Sequence, residues 1–191
     1  MTSTVANAEV QKGAYLGIGA GTVHSNIAGR ADRIINYTTL DEREKADVAA
    51  KFYGGYSWGM FGVEGGYYKL GNYKLSGTLG TTPAADEFSA KALGVAAVLT
   101  LPAGTDFSFF GKLGLASVTT DYSCVTLCAG VENTSTKSIV PMVGIGASWS
   151  FAKHFALRGD IETFRGAKFK YLDATEKASY DMYSISAEFH F

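Results

Sequence analysis

The sequence predicts an all-β fold, an eight-stranded antiparallel up-and-down transmembrane β-barrel, and three observations carry that reading. Apolar residues recur at every second position in segment after segment, yet no stretch reaches the roughly 18 uninterrupted apolar residues that a membrane helix needs. Glycine is abundant (23) and proline scarce (3), with 11 Tyr and 12 Phe, a mix suited to pleated, closely packed strands. Charges in mid-strand fall on one parity only, the face opposite the apolar one, and a water-soluble sandwich would show the reverse arrangement.

The 191 residues suit a single folding unit. Residues 1–12 stand apart from the barrel, and Met1–Ala8 within them have neither basic residues nor an apolar core, so they do not form a whole export signal. Ala6-Asn7-Ala8 fits the small-x-small pattern of a cleavage site, so this stretch reads as the remnant of a removed signal or as a flexible tail. The barrel is then expected over 13–191.

A transmembrane strand needs about 9–11 residues whose side chains point alternately to lipid and lumen. In the first segment, 14–26, Leu16, Ile18 and Ala20 share one parity and Tyr15, Gly17, Gly19 and Gly21 the other. Further segments follow at 48–58, 60–73, 88–101, 106–119, 138–151, 155–168 and 179–191. In the sixth, Ile139, Pro141, Val143, Ile145, Ala147, Trp149 and Phe151 alternate with Val140, Met142, Gly144, Gly146, Ser148 and Ser150. The last places Tyr183, Ile185, Ala187, Phe189 and Phe191 on one face and Ser184, Ser186, Glu188 and His190 on the other. Short turns follow the even segments, and long polar segments near 27–47, 74–87, 120–137 and 169–178 follow the odd ones, the connectivity of a barrel with short turns at one rim and surface loops at the other.

Charge placement gives an independent check. A lipid-facing charge costs roughly 2–4 kcal/mol at mid-membrane and about 0–1 near the rim. Lys69, Lys91, Arg165 and Asp181 have the lipid-facing parity and all fall at strand ends, whereas Glu64, Lys112, Arg158, Asp160 and Glu162 have the inward parity in mid-strand. Tyr56, Trp58, Phe61, Phe109, Trp149, Phe151, Phe155, Phe189 and Phe191 gather near the short turns, as an interfacial aromatic girdle would.

The formal net charge is −1 and no Lys/Arg cluster is evident, which argues against a nucleic-acid partner. Cys124 and Cys128 lie four apart in a polar segment. A small disulfide loop in an exported protein is the leading reading, with free thiols or a metal half-site as alternatives; no second Cys/His pair stands nearby, and neither a metal nor a cofactor is expected.

Phe52-Tyr-Gly-Gly-Tyr-Ser-Trp58, Phe61-Gly-Val-Glu-Gly-Gly-Tyr-Tyr-Lys-Leu-Gly71 and Ala156-Leu-Arg-Gly-Asp160 resemble the membrane domain of the outer membrane protein A family and related small opacity-type surface proteins. The resemblance covers most of the barrel but not the long loops. It implies a bacterial outer-membrane location and an internal ion-pair cluster in which Glu64, Lys112 and Arg158 take the acidic, lysine and arginine places, with Asp160 two residues beyond the arginine. One departure is Ser148, where the outer membrane protein A barrel has a glutamate. Another is that the chain leaves no room for the family's frequent peptidoglycan-binding domain.

Buried lumen charges need partners, so Glu64, Lys112, Arg158, Asp160 and Glu162 are expected to form an interior network. Eight strands enclose a space that side chains just fill, so weak conductance is the most a lumen of this size allows. The expected role is structural support and adhesin-like surface interaction through the loops, which are rich in Thr, Ser, Asn and Asp. The alternatives are a weak porin or a barrel passing small hydrophobic molecules sideways, for which Pro141, lacking an N–H, marks a weak place in the wall. A lipid hydrolase ranks last: His24 is the one histidine near the loop side, and its neighbour Ser25 has the opposite parity. The expected partners are outer-membrane lipids, including lipopolysaccharide, and a host or surface ligand; the barrel is expected to be a monomer.

Overall fold

Strand pairing wraps the described residues into one closed sheet in the computed structural model, which describes residues 11–26, 39–43, 48–79, 82–126, 134–171 and 174–191. The strands are β1 (Gly13–Ser25), β2 (Thr39–Arg43), β3 (Val48–Ser57), β4 (Phe61–Leu79), β5 (Thr82–Pro102), β6 (Phe107–Thr126), β7 (Thr134–Ala152), β8 (Phe155–Tyr171) and β9 (Ala174–His190). All pair antiparallel. Eight of them run β1-β3-β4-β5-β6-β7-β8-β9, and β9 pairs back onto β1 from Tyr15↔His190 to Ser25↔Tyr180, closing the barrel. The ninth, β2, lies in the first long connection and pairs along the outer end of β4.

Parity sorts the side chains as the alternating pattern requires. Mid-strand Ile18, Leu113 and Ile185 are 68%, 68% and 66% exposed on the outer wall, whereas Glu64 and Glu162 inside are 2% and 0% exposed. Only a surrounding apolar medium stabilises that arrangement. The nine aromatics assigned to the girdle are all exposed, and some make ring contacts across strands: Phe155 meets Phe189 at 5.2 Å, and Trp149 stacks on Phe107, a further exposed ring, at 6.0 Å. Inside, small residues admit large neighbours. A Cβ on Gly17 would run into the Tyr53 ring.

The structure departs from the sequence reading at the long-loop rim. Segments expected as loops near 74–87, 120–137 and 169–178 carry strand to Leu79 and from Thr82, to Thr126 and from Thr134, and to Tyr171 and from Ala174. Beyond the membrane both faces of a strand meet polar surroundings, so the lipid–lumen alternation stops while backbone pairing continues. β2, inside the expected loop 27–47, was unanticipated for the same reason. Among the register shifts that interrupt the ladders, two contain glycine: one between Lys69 and Asn72 on β4 and one between Arg165 and Ala167 on β8. Each contains a glycine in the left-handed region, Gly71 (φ 90°) and Gly166 (φ 82°), where other residues are strained.

The lumen has two storeys. Toward the long-loop rim it is an apolar cluster that includes Val23, Leu70, Phe88, Val118, Val140, Phe164, Tyr180 and Met182. Toward the short turns it is charged.

Candidate functional site

The charged storey is assembled from inward positions of five strands: Lys51 on β3, Glu64 on β4, Lys112 on β6, Arg158, Asp160 and Glu162 on β8, and Glu188 on β9. Three acidic or basic residues at alternate positions of β8 put three charges side by side on one strand. Each cation bridges acids from other strands. Lys112 Nζ lies 2.7 Å from Glu64 Oε1, 2.5 Å from Glu162 Oε1 and 3.4 Å from Asp160 Oδ2. Lys51 Nζ donates to Asp160 at 2.6 Å and to Glu162 Oε2 at 2.9 Å. Arg158 Nη1 donates to Glu64 Oε2 and Glu188 Oε2, both at 2.9 Å.

Hydroxyls complete the carboxylate shells. Tyr15 donates to Glu64 at 3.1 Å, Tyr53 to Glu188 at 3.1 Å, Tyr68 to Glu162 at 3.2 Å, and Ser184 to Asp160 at 2.5 Å. The Arg158 guanidinium lies over the Phe110 ring, 3.8 Å from its centroid, an added attraction for a buried cation. Such a network is held by mutual pairing: each ion pays heavily for lost hydration, and only several short, well-aligned contacts offset that cost.

The five residues singled out in the sequence, Glu64, Lys112, Arg158, Asp160 and Glu162, are therefore in mutual contact. The reading missed Lys51 and Glu188. Both signals were in the sequence, since each has the inward parity of its strand, and three acids against two cations already required another base. Ser148 pairs in register with Arg158 and lies at the mouth below the cluster, so the lysine takes its second acid from β8, as Glu162, instead of from β7. Glu188 is the acid nearest the short turns, with Oε1 2.7 Å from His190 Nε2. Beneath it opens a vestibule of about 640 Å³ lined by Lys12, Asp106, Ser148, Lys153, Arg158 and His190 among others.

Other candidates are scattered. His24 is exposed on the outer wall, edge-on to Tyr183 at 5.6 Å, and His154 Nδ1 is bonded to the His190 carbonyl at 2.9 Å near the short turns. Cys128 and the side chain of Cys124 lie outside the described residues, as does the pairing expected of them. Among the described residues no group of three His, Cys, Asp or Glu is arranged to hold a metal ion.

A closed antiparallel barrel with an apolar exterior, an aromatic girdle and an ion-paired lumen defines a bacterial outer-membrane β-barrel protein. The family follows from the sequence match: residues 9–189 fit the model of the OmpA-like transmembrane domain, and the chain belongs to that family. No curated protein matches the chain. Among solved structures the chain is similar to Neisserial surface protein A, with 10% identity and a TM-score of 0.61 over 93% of this chain and 97% of that one. It is also similar to OprG of Pseudomonas aeruginosa, with 13% identity and a TM-score of 0.60 over 95% and 99%. Ail, the attachment invasion locus protein of Yersinia pestis, solved in complex with the heparin analogue sucrose octasulfate, gives 14% identity and a TM-score of 0.55 over 95% and 100%. At these identities the likeness is one of fold.

Proposed function

We propose that this is an outer-membrane surface protein whose work is done at its extracellular rim, supporting the envelope and making adhesin-like contacts through its loops. The observation that carries this reading is the occupied lumen, with interlocked ion pairs below and fully buried apolar side chains above. The strand hairpins that continue past the membrane give the loops a rigid base, which favours display over passage. In this reading the protein is not an enzyme, and Cys124 and Cys128 close a disulfide that shapes the β6–β7 loop.

A second reading, sideways passage of small hydrophobic molecules, is favoured by one observation. The β7–β8 ladder ends at Met142↔Phe164, just below Pro141 and beside the apolar storey.

Planar-bilayer recording and ligand screening of the refolded protein separate these readings. Silence or brief small steps, together with binding to host matrix or to sulfated glycans such as the one seen on Ail, is the expected result. Stable, large single-channel steps would overturn the surface reading, as would ester or lipid hydrolysis lost in His24→Ala. Two free thiols by mass spectrometry after export would remove the disulfide.

A further inference from the structure

The charged cluster leaves one edge of the Arg158 guanidinium unused. A guanidinium carries its N–H donors in one plane, in a fixed fork. Here Nη1 serves both Glu64 and Glu188. Nε and Nη2, which together make the side-on edge of the fork, have no hydrogen-bond partner among the described residues. Asp160 Oδ2 stands 3.5 Å from Nε, an ion pair without a hydrogen bond. Arg158 is 4% exposed, and buried charged donors left unpaired are costly enough that each calls for a partner.

The surroundings decide what kind of partner fits. Two rings pack on the guanidinium, Phe110 at 3.8 Å and Tyr53 at 5.0 Å from ring centroid to guanidinium carbon, so its remaining capacity lies in its edge. Of the seven charged cluster residues, Arg158 and Glu188 are the two that line the vestibule of about 640 Å³ at the short-turn mouth. That size falls within the roughly 300–1,000 Å³ typical of small-molecule sites. Directly across from Arg158 on β7 stands Ser148, partly exposed and also on the lining, and a side chain that short brings no charge to the arginine from that strand.

The electrostatics favour an anion. The charged residues of the lining are Lys12, Lys153 and Arg158 against Asp106 and Glu188, and Glu188 is already shared between Arg158 and His190. His190 adds a second unsatisfied atom on the same lining. Its Nε2 must carry the hydrogen that the Glu188 carboxylate accepts, and its Nδ1 has no partner.

We propose that the short-turn vestibule binds a small periplasmic oxyanion, with a carboxylate or phosphate group seated on the Nε–Nη2 edge of Arg158 beside Ser148. The rest of the solute lies in the vestibule, with Lys153 at its mouth. Either group presents two oxygens to a guanidinium edge, and the guanidinium stays charged throughout the physiological pH range. A single-atom anion such as chloride does not match that fork. Binding at the mouth needs no passage through the interlocked ion pairs, so the inference goes beyond the surface-interaction reading and does not rest on it.

The test follows the Arg158 Nε–H resonance by NMR, on the full chain refolded in phosphatidylcholine nanodiscs with isotope-labelled arginine. Succinate and inorganic phosphate are titrated separately, with neutral succinamide and chloride at matched ionic strength as controls. A pair of charge-assisted hydrogen bonds corresponds to a dissociation constant on the order of a millimolar, so a saturable shift in that range is expected with at least one oxyanion and with neither control. Saturation by one oxyanion alone identifies the group the site takes. Ser148→Glu gives Arg158 a carboxylate from the chain itself and is expected to weaken binding about tenfold or more, whereas Ser148→Ala keeps the edge open and is expected to stay within about threefold. Lys153→Gln, at an exposed position, is expected to weaken binding about two- to fivefold. Heat-modifiable gel migration checks that each variant forms a closed barrel, and if Ser148→Glu does not, the native titration with Ser148→Ala and Lys153→Gln decides. No saturable shift with either oxyanion, the same shift with chloride or succinamide, unchanged binding in a closed Ser148→Glu barrel, or a tenfold loss in Ser148→Ala would each overturn the proposal.

Discussion

The two storeys of the lumen fill the same cylinder by opposite means. Above, Val118, Phe164, Tyr180 and Met182 exclude water by packing and tolerate small adjustments of a neighbour. Below, seven charged side chains from five strands depend on one another, so that one loss strands several partners. The comparison teaches that buried charge gives this barrel a more specific interior than apolar filling does, and a more fragile one.

Arg158→Ala breaks the comparison hardest. It leaves Glu64 and Glu188 without their guanidinium, and removal of one partner from a buried pair typically costs about 3–5 kcal/mol. Urea unfolding in phosphatidylcholine vesicles is expected to show that loss. Met182→Ala, which opens a cavity at a fully buried position of the apolar storey, is expected to cost about 2–3 kcal/mol in the same assay. A larger loss for Met182 than for Arg158 would reverse the ranking of the storeys.

Smaller effects sharpen the boundary between inside and outside. Asp121→Asn removes the partly exposed partner of Lys91 and is expected to cost about 0.2–1 kcal/mol, a loss that shrinks further in high salt. Arg165→Ala, exposed at the rim only seven residues from Arg158, is expected to change stability by no more than about 0.5 kcal/mol in zwitterionic lipid. Equal losses at 158 and 165 would mean that the inward and outward parities of β8 are misassigned.

Most of the membrane-embedded structure was legible in the sequence because lipid and lumen impose opposite demands on alternate residues. That rule finds Ile18, Glu64 and Arg158 equally well; charge balance added to it would also have found Lys51, and the inward parity of the last strand would have found Glu188. It loses force at the outer rim, where neither face is lipid, so β2 and the outer halves of β4 and β5 left no periodic trace. The end of the β7–β8 ladder at Met142↔Phe164 was legible only as a lone proline. A ladder that ends depends on what the partner strand does, and the turn of β8 at Gly166 carries no signal in β7.

The closing contact between β1 and β9 has a kinetic consequence. Every other neighbouring pair in the barrel joins strands consecutive in the chain or separated only by β2, but Tyr15↔His190 spans nearly the entire length. Hairpins can zip locally and early, whereas this last seam must wait for the two ends to find each other across the growing sheet. Until they do, the β1 and β9 edges present unpaired backbone groups to whatever strand is near, so the unclosed barrel is the species most prone to mispairing. Assembly of this protein is therefore governed less by the strength of its interior than by how long those two edges are kept apart from other chains.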